Sequence, residues 1–104
     1  MRLRELELIN SIMTLGSVSD AARANHMTQP NGSKMLKKLE EQFGFALFDR
    51  IHGRLRPREE MRQIWGHMEH TLLSLRHLND LTRDVRDMTK GSITFGCIPI
   101  LSRH

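Results

Sequence analysis

A mostly α fold is what this 104-residue chain predicts, and three observations carry the prediction. Apolar residues recur at helical spacing before residue 44 and again in one long run after residue 59. Small and capping residues punctuate those runs. Gly16 and Gly44 stand where helices should stop, and Ser17, Ser19 and Thr28 where helices should start. Between them and the long run lies a basic stretch, Arg50-Ile51-His52-Gly53-Arg54-Leu55-Arg56-Pro57-Arg58. Two short helices across a tight turn, followed by a basic hairpin, are the layout of a winged helix-turn-helix.

Helix one is expected over about residues 4–15, where Leu3, Leu6, Ile9, Ile12 and Met13 share a face. Helix two starts at Ser17 or Ser19, carries the small helix formers Ala21 and Ala22, and ends near Asn25-His26. Met27 is placed as an apolar plug under the turn. Thr28 caps helix three, and Pro30 fits its first turn, where a missing N–H costs nothing. Met35, Leu36, Leu39 and Phe43 form its buried face; Lys34, Lys37, Lys38 and Glu41 lie away from it. Phe45-Ala46-Leu47-Phe48 reads as a short strand, His52-Gly53 as a turn, and Leu55 as the start of a return strand that Pro57 ends.

From Glu59 to about Thr89 there is no proline and one glycine, Gly66. Met61, Ile64, Met68, Leu72, Leu75, Leu78, Val85 and Met88, with Trp65 and Leu81 beside them, read as one apolar stripe along a helix of about thirty residues, about 45 Å long. A domain of about sixty residues cannot cover such a stripe, so it asks for a partner helix, most simply from a second copy. Gly91 breaks the helix, and Ser92–Ile98 alternates as a strand would without a second strand to pair with. The expected organisation is therefore a winged helix-turn-helix domain over 1–58, a dimerisation helix over 59–90, and over 91–104 the start of a truncated further domain.

Charge divides the chain the same way. Residues 1–58 hold ten basic and six acidic side chains, a net +4, and residues 59–90 hold five and six. A basic half joined to a neutral half points to a polyanion partner for the first half. The single cysteine, Cys97, excludes an intrachain disulfide and a Cys-based zinc site. The N-terminus lacks the apolar run of a signal peptide, and no stretch is long enough for a membrane span, so the cytoplasm is the expected compartment. His67 and His70 are two ligands of an incomplete metal site and read as solvated; no metal or cofactor is expected. Glu40-Glu41 and Glu59-Glu60 are sequence neighbours that diverge on a helix, poor material for an acid/base pair. With no nucleophile–base set or phosphate-binding glycine loop, the chain reads as a non-enzyme.

Several segments together resemble the N-terminal region of LysR-type transcriptional regulators. They are Ser17-Val18-Ser19-Asp20-Ala21-Ala22, Thr28-Gln29-Pro30 with Ser33-Lys34, Leu39-Glu40-Glu41-Gln42-Phe43-Gly44 and Leu47-Phe48-Asp49-Arg50. The resemblance covers residues 1 to about 90 and runs on into Gly91–Gly96, which is similar to the family's linker and the first strand of its effector domain. It implies a dimer through antiparallel linker helices, a tetramer in a full-length form, and a small-molecule effector bound beyond residue 104. It also implies base reading near the start of helix three, at Gln29, Pro30, Asn31, Ser33 and Lys34, with Arg50 and Arg54 of the wing on backbone or minor groove.

Elementary contact chemistry agrees with those positions. Gln29 and Asn31 can bond adenine, and Lys34 can reach guanine. Thr28 and Ser33 offer hydroxyls, and Lys37, Lys38, Arg50, His52, Arg54 and Arg56 suit the phosphate backbone. The dimerisation positions expected are Met61, Ile64, Trp65 and Met68, then Leu72, Leu75, Leu78 and Val85. Two departures from the family pattern stand out. Asn31-Gly32 replaces a small and an apolar residue, so Gly32 should loosen the helix and remove an apolar contact; Arg58 stands where a capping Thr is usual and is free to meet phosphate. The expectation is sequence-specific binding of double-stranded DNA and regulation of transcription as a dimer. The alternatives are a truncated interaction module that dimerises with full-length regulators and a winged helix attached to an enzyme.

Overall fold

The computed structural model describes residues 1–89; the strand expected after Gly91, and with it the proposed start of a further domain, lies outside them. Helices α1 (Leu3–Leu15), α2 (Val18–Ala24) and α3 (Gln29–Phe43) precede a hairpin of β1 (Phe48–Ile51) and β2 (Arg54–Pro57), and α4 (Glu59–Asp87) follows. Gly16 and Gly44 close α1 and α3 in the left-handed conformation, as the sequence required. Of the two candidate serines it is Ser17 that caps α2, its Oγ accepting from the Asp20 N–H at 3.0 Å.

Two compact units divide the chain, Met1–Leu72 and a second beginning at Leu73. The core of the first unit is drawn from the helices and β1: Leu6, Leu8, Ile9 and Ile12 of α1, Ala21 and Ala22 of α2, Leu36 and Leu39 of α3, and then Leu47, Phe48, Met61, Met68 and Leu72. Met35 and Phe43, expected on the buried face of α3, are half-exposed.

The first strand is displaced from its expected place. Phe45 and Ala46 lead away from the α3 cap, and β1 begins only at Phe48. The reason is Leu47, which is fully buried and whose N–H donates to Glu40 Oε2 at 2.8 Å. A core anchor tied to a side chain of α3 therefore occupies the segment that composition marks as strand. β1 and β2 pair antiparallel, with Phe48 opposite Pro57 and Ile51 opposite Arg54. His52 (φ 52°) and Gly53 (φ 77°) form the two-residue turn, and two successive positive φ angles give it the twist a tight hairpin needs.

Helix α4 corrects the reading of a single dimerisation stripe. Met61, Met68 and Leu72 are buried within the first unit, so they hold the helix to its own domain and are not on offer to a partner. Leu78, Leu81 and Val85 are 54%, 46% and 38% exposed. What reads as one stripe is thus buried in its own domain up to residue 72 and exposed at Leu73, Leu78, Leu81 and Val85. Leu73, 55% exposed, was absent from the expected set. Ile64, Trp65 and Leu75 are half-exposed.

Candidate nucleic-acid interface

The turn between α2 and α3 sets how α3 is presented. Asn25 caps α2, and His26 follows at φ 58°, a left-handed position usually held by glycine. Its N–H donates to the Arg23 carbonyl at 3.1 Å, and the Met27 N–H donates to the Ala22 carbonyl at 2.9 Å. Those two bonds are the paired pattern that closes a helix and turns the chain sharply. The Asn25 side chain pins the turn to α1, donating to Ser11 Oγ at 2.9 Å and to the Ala21 carbonyl at 2.7 Å. Helix α3 then starts at the Thr28 cap, whose Oγ1 accepts from the Asn31 N–H at 3.3 Å.

Gly32 takes a different part from the one expected. It is buried in α3, and a Cβ there would stand 3.0 Å from Ala22 Cβ and 3.4 Å from Val18 Cγ1. The missing side chain is what lets α2 and α3 approach, so Gly32 tightens the helix pair where a loosened helix was expected. On the opposite side of α3, Pro30, Lys34, Lys37 and Lys38 are exposed. Thr28, Gln29 and Asn31 are exposed at its start, and Ser33 is half-exposed. Gln29 Nε2 donates to Ser33 Oγ at 2.9 Å, so in the free protein these two expected base readers satisfy each other.

The wing cations separate into two groups. Arg50, His52 and Arg56 are exposed; Arg56 stands opposite Asp49 in the register. Arg54 instead folds back onto the turn between α1 and α2. Its Nη2 donates to the Leu15 carbonyl, and its guanidinium lies over Gly16, where any Cβ would collide with it. The neighbouring Leu55 N–H donates to the Gly16 carbonyl at 2.9 Å. Arg54 thus caps the C-terminus of α1 and fastens the wing while its side chain stays exposed.

Arg58 is similarly engaged. Its Nη1 lies 2.8 Å from Asp49 Oδ1, and its Nε lies 3.4 Å from Glu60 Oε1. The hydrogen bond and charge of Asp49, joined by Glu60, hold its pKa above the ordinary arginine value. Arg58 thereby bridges β1 to the start of α4. Glu59 and Glu60 supply the negative charge that the first turn of that helix favours.

One group of cations escaped the sequence reading. Arg2 and Arg4 at the start of α1 face Asn31, Lys34 and Lys38 across a groove of about 430 Å³. Their inclusion in the basic half was visible; their approach to α3 was not, because nothing in linear spacing brings residue 4 beside residue 38.

Residues 3–61 match the profile of the bacterial regulatory helix-turn-helix proteins of the lysR family. The chain belongs to this family. The segment matched contains all three short helices, the wing and the first turn of α4, which are the elements that build the interface. Among relatives, this LysR-family chain is 36% identical over 101 residues to the HTH-type transcriptional regulator DgcR of a Pseudoalteromonas species, with 97% of the chain and 35% of the relative aligned. It is also 36% identical over 101 residues to the HTH-type transcriptional regulator AdmX of Serratia plymuthica, covering 97% of the chain and 33% of that protein. The chain therefore spans about a third of the length of these curated relatives. The fold matches the crystal structure of a CbnR_DBD–DNA complex at a TM-score of 0.71 and 21% identity, over 83% of this chain and 99% of the other. The short helices and the wing are thus the helix-turn-helix region of the lysR family, with a winged helix-turn-helix fold.

Proposed function

We propose that this chain binds double-stranded DNA in a sequence-dependent way and regulates transcription, with α3 in the major groove and the wing against the backbone. The observation that carries the reading is the face of α3 that displays Lys34, Lys37 and Lys38, on a helix pinned from behind by Gly32 against Ala22. A helix so held presents base-reading and phosphate-neutralising groups without further ordering. The basic groups Arg50, His52 and Arg56 on the wing extend the same charge.

Dimerisation belongs to the same proposal. Leu78, Leu81 and Val85 give α4 an exposed apolar strip, and a second copy would bury it symmetrically. Two wings held at a fixed spacing then read two half-sites. The action is non-enzymatic, in keeping with relatives that are transcriptional regulators. Among the described residues no helix is long and apolar enough to cross a membrane, and no three His, Cys, Asp or Glu side chains converge as a metal site. A cytoplasmic location, a tetramer and a small-molecule effector bound elsewhere in a longer protein complete the proposal. Incubating the chain with fragmented bacterial genomic DNA and sequencing what it retains tests the reading. Recovery of a motif with two related half-sites supports it, and retention without any enriched sequence overturns it.

A further inference from the structure

We infer that the groove between the start of α1 and the flank of α3 is a phosphate subsite, and that Arg4 is its clamp. The inference rests on the DNA-binding reading and extends its footprint to an element outside the helix-turn-helix and the wing. Four cations border the groove, Arg2, Arg4, Lys34 and Lys38, against one carboxylate, Glu5. That carboxylate is already committed: Glu5 Oε1 accepts from the Arg2 N–H at 2.7 Å, closing the first turn of α1. Arg4, Lys34 and Lys38 are exposed. Two other cations of the unit are paired, Arg23 with Asp20 at 3.0 Å and Arg58 with Asp49 at 2.8 Å. A concave site with unbalanced positive charge focuses an anion into it.

The occupant is a DNA backbone phosphate because of where the groove opens. Lys34 and Lys38 sit both on the outward side of α3 and on the groove wall. Duplex DNA seated on α3 must therefore run its sugar–phosphate edge along the groove mouth. The guanidinium of Arg4 suits bidentate contact with phosphate oxygens. Such a contact positions the duplex and carries no sequence information.

The test uses the 104-residue chain and a fluorescent duplex of mixed sequence, titrated between about 50 and 200 mM salt. Arg4→Gln should reduce the slope of log affinity against log salt by about 0.9, and weaken binding about fivefold near physiological salt. Preference between a retained genomic motif and its scrambled version should not change. Arg83→Gln, which removes an exposed cation paired with Asp80 on α4, serves as the control for net charge and should leave the slope in place. An unchanged slope for Arg4→Gln overturns the subsite while leaving the DNA reading intact. An equal fall for Arg83→Gln also overturns it, because net charge would then explain the effect. Wild-type chain that shows no salt-dependent binding at all would instead defeat the DNA reading itself. Arg4 is exposed, and coincident thermal melts of the variant and wild type establish that only binding has changed.

Discussion

The two halves of α4 have similar sequence periodicity and opposite surroundings. Before residue 72 its apolar side chains are core: Met61 and Leu72 are essentially inaccessible, and Met68 nearly so. Beyond it Leu73, Leu78, Leu81 and Val85 face solvent. An apolar period reports that a face will be covered, and says nothing about whether its own domain or another molecule covers it.

The largest effect expected from this contrast is at the exposed half. Replacing Leu78 and Leu81 with Asp should abolish dimer formation, at a cost of about 3–6 kcal/mol for four half-exposed leucines across a symmetric pair. The first unit should keep its fold. Sedimentation velocity and circular dichroism read the two halves of that statement; a double variant that remains dimeric would show that the strip is not the interface. Binding to a paired half-site should fall steeply while binding to a single half-site survives.

At the buried half, Leu72→Ala should destabilise the first unit by about 2–5 kcal/mol through the cavity it leaves. Urea unfolding measures this. A loss below about 1 kcal/mol would mean that the start of α4 docks only loosely on its domain.

A smaller and more diagnostic effect belongs to Gly32. An unpacked helical glycine gains about 0.4–1 kcal/mol on change to Ala. Here the added methyl meets Ala22 at 3.0 Å, and overpacking of that kind costs about 1–3 kcal/mol, so Gly32→Ala should lose about 1 kcal/mol. Adding Ala22→Gly removes the opposing methyl. The double variant should therefore be less destabilised than the sum of the two single changes. Simple additivity in thermal melts would show that the α2–α3 contact is looser than its geometry.

Local rules carried most of the fold. Gly16, Gly44, Ser17 and Thr28 act through bonds to their own neighbours, so they can be read in linear order, and the helix boundaries they imply hold to within about two residues. The features that escaped depend on approach in space. Arg54 has the composition of a wing cation and ends on the carbonyl of Leu15, thirty-nine residues away. Leu47 has the composition of a strand and is held by Glu40 and the core. Gly32 looked like a defect in α3 because Ala22, which needs the space, is ten residues distant. Of the candidate interface, the lysines of α3 and the arginines at 50 and 56 were legible as exposed charge; the contribution of α1 was not, since Arg4 meets α3 only through the tertiary fold.

The most direct test of the central claim, that α3 reads DNA sequence, is a comparison of wild type with Lys34→Ala on a retained genomic motif and its mismatched variants. Lys34 is exposed on the outward face of α3. Fluorescence anisotropy at fixed salt should show binding to the motif weakened by about 1–3 kcal/mol and the ratio of matched to mismatched affinity reduced. An unchanged ratio, with affinity for every sequence lowered alike, would place Lys34 on the backbone and contradict a base-reading role for this face.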